Sequence, residues 1–575
     1  MSLHLTVTHV PAPCRNPALR TKNFVLRPLA ISRQFAKLRI EVLRAMDYFM
    51  PDLPMKTSRI FRVLFCFTLL LTIAIGCRTA QPGTMVYSIR AFGAKGDGKT
   101  LDHLAINQAI AAAARAGGGT VVVPPGVYLC GSIRLQSNIH LEIEAGATIL
   151  GAPQRLNAYD LTEPWTNNPY QDGGHCYFHN SLIWGENLTN VFITGHGMIN
   201  GGGLVRDDGL LDRMCGFSRW SPTENYLPSP TNYPPCRLGN KAIALKLCRN
   251  VLIRDITIFH GGHFAILVTG CDDLTVDNVT MDTDRDGIDL DCCRNAMVSN
   301  CRINSPNDDA LCPKSSYALG RRVITENLTI VNCQVSGFEE GTLLDGTMKA
   351  GRGHYGRIKF GTEAAGGFRN CTVANCTFRS CKGLALEEVD GGIMENISIN
   401  NLTMMDVPDY AIYITTGKRN RSGVVAGPSV CRNISISDVI ADGVGRAASI
   451  EIFGLPDHPV EGVRLENIRI VNNGGGSATD AARMPRELAY DYPEPSREGI
   501  MPAYGVFARH VKGLELANFN LSFKTNDLRP AIICADVNGL EIDNFKAQVA
   551  DGVKASVLAD NVSGVVIRNS PVLEK

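Results

Sequence analysis

At 575 residues the chain is long enough to bury one large core or several. Its 57 basic and 56 acidic residues leave a formal net charge of +1, which argues against attachment to nucleic acid or lipid by bulk charge. The 56 glycines, and turn residues recurring along the whole length, suit many short strands better than long helices.

The N-terminal segment reads as an address rather than as part of a fold. From Met55 the sequence runs MKTSRIFRVLFCFTLLLTIAIGCRTAQ, in which Lys56, Arg59 and Arg62 precede an apolar run ending in Ala74-Ile75-Gly76-Cys77. A charged end followed by a short apolar run is an export signal, too short and one-sided for a membrane span. Small residues just before a cysteine resemble the bacterial lipoprotein cleavage box, which would make Cys77 the lipidated N-terminus; ordinary cleavage near Ala80 is the alternative. An export signal belongs at the start, so residues 1–54 are read as a spurious or disordered extension. Residues 55–77 are then the signal peptide and 86–575 a single domain. The expected location is the bacterial cell envelope, as a lipoprotein, or the extracellular or periplasmic space.

One helical stretch follows, His103–Arg115 (HLAINQAIAAAAR), placed to cap the open end of whatever the strands build. The segments NLTNVFITGHGMI, CRNVLIRDITI, CDDLTVDNVTM, CRNAMVSNCRI and TENLTIVNCQV then succeed one another. The series continues to VSGVVIRNS near the C-terminus, with a period of about 22 to 30 residues. Each alternates apolar and polar residues, bends at Asn or Asp, and alternates again. Alternation means strands. No amphipathic helix separates them, so doubly wound sheets are excluded and a stacked parallel β-helix satisfies the pattern. Asn suits the bends because it tolerates left-handed backbone angles.

The 19 cysteines of an exported chain would ordinarily suggest disulfides. Cys301, Cys333 and Cys376 instead recur at one point of the repeat, as small core residues. The spacing leaves a Cys371–Cys381 pair open. Insertions at 152–180, 202–239 and 472–502 read as loops on one face, carrying Trp165, Trp220 and Tyr226 as a sugar-binding cleft often does.

Stacked coils place equivalent residues about 4.8 Å apart, so position in the repeat reports proximity. Aligning Val276-Asp277-Asn278-Val279 with Val298-Ser299-Asn300-Cys301 sets Asp286 level with Asp308. Aligning Ile288 with Leu311 sets it level with Asp309. Either way three carboxylates fall on two neighbouring rungs, and Glu340 takes the equivalent place on the next. Like charges this close raise at least one proton affinity. An acid in one state beside a base in another is the equipment for splitting a glycosidic bond. A single Asp here would read as a solvated turn; three together read as a site. A calcium site is the competing reading, because clustered carboxylates suit hard cations.

The run DRDGID (Asp284–Asp289) followed by NDDALC (Asn307–Cys312) resembles the N-T-D-G and D-D motifs of glycoside hydrolase family 28, the polygalacturonase family of pectin-degrading enzymes. Phe92–Tyr128 resembles the N-terminal cap and first coil of that superfamily. GRIKFGTE, KGLALEEVDGG and YPEPSREGIMPAYG resemble bacterial members. The resemblance implies an all-β, right-handed single-stranded parallel β-helix performing inverting hydrolysis of α-linked galacturonic acid chains, without cofactor or metal. It implies Asp308 as general acid, with Asp286 and Asp309 holding and deprotonating the attacking water. Inversion calls for roughly 6.5–9.5 Å between acid and base.

Two departures accompany the resemblance. Where the family has G-H-G after the D-D pair, this chain has GFEEGTLL, with Glu340 in place of the histidine; His354 in GRGHYG lies further on. Arg357-Ile358-Lys359 matches the family's R-I-K, which implies substrate contacts at Arg357 and Lys359, with Glu340 and His354 nearby. A second register moves the R-I-K place to Ala385-Leu386-Glu387. The expected partner is a pectic polysaccharide or oligosaccharide bound by a monomer, with no nucleic acid and a membrane only through the lipid. A rhamnogalacturonan-directed or exo-acting hydrolase, a calcium-dependent β-helix lyase, and a non-catalytic carbohydrate-binding β-helix are the rival readings.

Overall fold

Alternating side chains turn one face of every segment inward, and in the computed structural model those faces stack into a coil whose strand pairings are all parallel. The structure describes residues 85–163, 175, 177–206, 237–420 and 427–573. The extension at 1–54, the signal at 55–77, Cys77, Trp165, Trp220 and Tyr226 lie outside them. Contacts divide the chain into Met1–Gly83 and Thr84–Lys575, and the β-helix belongs to the second unit.

The inward ladder is continuous. Ile243 pairs with Ile266, Ile266 with Ile288 and Ile288 with Leu311, all fully buried. Each such side chain contributes about 1.5–3 kcal/mol relative to exposure. Cys301, Cys333 and Cys376 occupy the same interior, and every cysteine among the described residues is a buried free thiol, Cys371 and Cys381 included.

The bends follow the expected chemistry. Asn295, Asn327, Asn370, Asn396 and Asn433 all have φ between 53° and 59°. Their side-chain amides bond to one another in sequence, each Nδ2 donating to the Oδ1 of the rung before, at 3.1, 3.3, 3.0 and 2.7 Å. The ladder thus satisfies the polar groups that the bend exposes, rung after rung. Helix α1 (His103–Arg115) buries Ile106, Ala109, Ile110 and Ala113 against the first strands. It covers the end of the hydrophobic column as the amphipathic pattern foretold.

One face positions the site. Strands Ile133–Arg134, Ile183–Glu186, Lys241–Lys246, Phe264–Thr269, Asp286–Asp291 and Leu311–Lys314 form a six-stranded sheet in chain order. A Leu311–Ile358 bridge carries that face onward to Lys359–Phe360, Leu384–Glu388, Ile412–Thr416 and Ile450–Phe453. The 472–502 insertion, with short helices at Ala478–Ala481 and Pro495–Glu498, packs on the later part of the face. There Met501 and Ala503 join Tyr410, Tyr413, Phe453 and Phe507 in an apolar cluster on the outside of the coil.

Candidate active site

Adjacent rungs do not keep one register all round. Met281 pairs with Ile303 and Ile288 with Leu311, so one extra residue lies in the turn between Asn304 and Leu311. The backbone N–H of Gly287 donates to the Asp309 carbonyl at 2.9 Å, which sets Asp309 level with Asp286. Asp308 is the extra residue, pushed outward. The Ser305 hydroxyl pins this turn, donating to the Arg285 and Asp308 carbonyls at 2.6 and 3.0 Å.

The three carboxylates converge: one oxygen from each of Asp286, Asp308 and Asp309 lies within 4.8 Å of the others. Their surroundings differ sharply. Asp309 is buried, with Arg357 Nε donating to Oδ1 at 2.7 Å and Lys359 Nζ 2.6 Å from Oδ2. Burial alone would push its carboxyl up, but Lys359 and Arg357 outweigh that and hold it far below the usual carboxylate range. Asp286 is also buried, and burial with the charges of Asp308 and Asp289 pushes it well above that range. Asp308 is a quarter exposed, and its Oδ2 accepts from Arg285 Nη2 at 2.6 Å. Two neighbouring carboxyls are therefore driven apart, one pushed below and one above the usual range, with a third at the opening. Three protein cations already occupy this cluster, so a divalent ion would enter a site whose negative charge is largely balanced.

The 472–502 insertion braces the cations. Glu494 Oε2 accepts from Arg357 Nη2 at 3.1 Å and its other oxygen binds Lys382. Tyr410 takes a further bond from Arg357, and Lys359 Nζ reaches the Tyr492 hydroxyl at 3.1 Å. Arg357 and Lys359, expected as substrate contacts, thus lie directly on Asp309 and are sealed from solvent. Lys359 pairs with Ala385 on the following rung, so the R-I-K letters and the alternative R-I-K place stand on consecutive rungs.

His354 and Glu340 part company. The chain loops out after Ser336 and returns so that Tyr355 N donates to the Pro306 carbonyl at 3.1 Å and Gly356 N to the Asp308 carbonyl at 2.8 Å. His354 therefore rides on a loop bonded to the one that carries Asp308. Gly356 has φ +58° and a Cβ there would meet the Ser336 carbonyl at 2.1 Å, so only glycine lets the loop close. Glu340 instead meets His260 Nδ1 at 3.0 Å and does not join the three aspartates. Its insertion is held by Asp282, whose Oδ2 accepts from Leu343 N and Leu344 N, both at 3.1 Å.

Several site residues escaped the sequence reading. Arg285 stood in plain view inside DRDGID, but only the bulged turn brings Asp308 to it. Lys314, between Asp289 at 3.3 Å and Glu363 at 3.2 Å, follows the D-D pair with no signal beyond its charge. Tyr492 and Glu494 lie in YPEPSREGIMPAYG, far along the chain.

Comparison with known proteins points to the same fold. The family described as "Rhamnogalacturonase A/epimerase, pectate lyase-like" matches residues 86–311, and "Right handed beta helix region" matches 241–425. The chain is 25% identical to a "Probable polygalacturonase" of Vitis vinifera over 69% of this chain and 75% of that one. It is 23% identical to an "Exo-poly-alpha-D-galacturonosidase" of Dickeya chrysanthemi over 65% of each. Among solved structures, the hyperthermoactive exopolygalacturonase of Thermotoga maritima superposes with a TM-score of 0.55 at 22% identity, over 76% of this chain and 93% of that one. The Family 28 exopolygalacturonase of Yersinia enterocolitica gives 0.52 at 16% identity, over 80% and 78%. The chain is a right-handed parallel β-helix. In sequence it is similar to polygalacturonases and exopolygalacturonases, and its fold is that of the Family 28 exopolygalacturonase it superposes on.

Proposed function

We propose that this protein is a glycoside hydrolase cleaving α-glycosidic bonds of a pectin-type polysaccharide. The observation that carries the reading is the divided trio: Asp309 held low by Lys359 and Arg357, Asp286 pushed up by burial, and Asp308 at the opening. Asp308 donates the proton to the leaving oxygen. Asp309 accepts a proton from the attacking water, which Asp286 helps to hold. Both Asp309 oxygens are engaged by buried cations, so attack on the sugar by the carboxylate itself is hindered. This favours a water nucleophile and hence inversion. The reading is tested on polygalacturonate and rhamnogalacturonan in chelator, following reducing ends and ultraviolet absorbance together. Hydrolysis releases reducing ends without absorbance. An absorbing product or a need for calcium would assign the protein to the lyases.

A specific observation favours exo action. Beyond the Lys359 rung, Ala385, Tyr413, Glu451 and Phe507 are fully buried beneath the 472–502 insertion. A chain running along the sheet meets that wall just past the aspartates, so the enzyme works from a chain end. Mono- or disaccharide as the sole early product supports this, and a ladder of intermediate sizes opposes it. Export through the 55–77 signal, with lipid on Cys77, belongs to the same reading. Labelling with a fatty-acid analogue, lost in Cys77→Ala, checks it.

A further inference from the structure

We propose that Arg285 receives the carboxylate of the substrate sugar, leaving Asp308 to do so. The inference rests on the pectin-directed reading above and names how that site recognises its anionic substrate.

The cations nearest the three aspartates are not equally exposed to a sugar acid. Arg357, 1% exposed, is shared among Asp309, Glu494 and Tyr410. Lys359, 3% exposed, is held by Asp309 and Tyr492. Lys314 sits between Asp289 and Glu363, and Lys382 between Glu494 and Asp409, each under 10% exposed. Each would have to emerge from beneath neighbouring side chains. Arg206 is well exposed, but it binds Asp284 and touches none of the three aspartates. Arg285 combines the two properties required. Its side chain is 27% exposed at the opening, and its Nη2 lies 2.6 Å from Asp308 Oδ2 and 3.9 Å from Asp286 Oδ2.

A guanidinium fork suits a carboxylate better than an ammonium does, because it can hold both oxygens. A uronate carboxylate has the charge and shape of the one Arg285 already holds, so exchange replaces one charge-assisted bond with another. It also changes Asp308. Bound to Arg285, that carboxyl group is occupied, its Oδ2 2.6 Å from the Nη2. Released, it is no longer covered by the guanidinium. Recognition of the sugar's charge and release of Asp308 become one event. A methyl-esterified residue, neutral at the same position, does not displace the pair.

The test compares wild type, Arg285→Gln and Arg285→Lys on de-esterified and methyl-esterified oligogalacturonides of equal length, with thermal unfolding as the check on folding. Wild type prefers the acid form. In Arg285→Gln the KM for the acid form rises about tenfold or more while the ester is little affected. Arg285→Lys falls between. Binding gives an independent readout. Asp308→Asn, lacking the competing anion, binds the acid oligomer more tightly than wild type, and adding Arg285→Gln abolishes the gain. An unchanged acid-to-ester ratio in folded Arg285→Gln overturns the proposal. So does an Asp308→Asn variant that binds no tighter, which decides the matter if Arg285→Gln does not fold. A wild type inert on both substrates would instead overturn the pectin-directed reading, and this inference with it.

Discussion

Replacing Lys359 by Met removes one of the two charges that keep Asp309 ionised. Lys359 Nζ lies 2.6 Å from Asp309 Oδ2, and both side chains are almost fully buried. Burial pushes the Asp309 carboxyl up, and the attraction of Lys359, then of Arg357, overcomes it. An opposite charge at this range lowers a carboxyl by about 1–3 pH units. Lys359→Met therefore moves the acid limb of kcat/KM upward by about that amount, with Arg357 still in place. Breaking a buried pair from one side costs about 3–5 kcal/mol, and the remaining Arg357 bond sets the expected loss near the lower figure. Asp309 is depressed in the folded state, so its contribution to stability is present above the unfolded carboxyl value and lost as pH falls through the folded one. In Lys359→Met that contribution is smaller and its loss is complete at a higher pH. The assay is kcat/KM from about pH 3 to 8 beside urea unfolding at the same pH values. An acid limb that stays in place while stability falls would refute the assignment of Asp309 as the base.

Asp308→Asn should lower kcat by about 10²–10⁴ with the unfolding midpoint nearly unchanged, measured by initial rates and denaturant titration. Glu498, on the insertion, accepts from the Tyr413 hydroxyl at 3.3 Å, and burial pushes its carboxyl up to about 8. Its raised value means that stability is fully present below the unfolded carboxyl value and is lost as pH rises through about 8. Melting temperature should thus fall on the alkaline side in wild type and stay flatter in Glu498→Gln. Gly356→Ala places a Cβ 2.1 Å from the Ser336 carbonyl at φ +58°. It should cost about 1–3 kcal/mol and depress kcat as well, because Gly356 N holds the Asp308 carbonyl.

The β-helix was legible because its physics repeats: each rung restates the same alternation and the same bend, and Asn at the bend announces its own backbone angle. Stacking then turned distance in the pattern into distance in space, which is how Asp286, Asp308 and Asp309 could be brought together on paper. Which of the pair stands level with Asp286 was not legible, since one extra residue in a turn leaves no trace in the alternation of the flanking strands. His354 was obscured for a similar reason. Its insertion breaks the count, and the return to Pro306 and Asp308 depends on backbone bonds and on two close-packed glycines, Gly353 and Gly356. Arg357 and Lys359 were visible as letters, but their burial was not. The residues that cover them, Tyr492 and Glu494, lie 133 and 137 positions away, beyond the reach of any local pattern.

The separation of the acids gives the account its sharpest exposure. Oxygens of all three aspartates fall within 4.8 Å, closer than the roughly 6.5–9.5 Å expected between an inverting acid and base. Inversion here rests instead on Asp309 being held by two cations and so acting on water rather than on the sugar. Proton NMR of the first product released from an α-linked oligogalacturonide, read before mutarotation, tests this directly. The account predicts the β-anomer at the earliest time points; the α-anomer appearing first would contradict it.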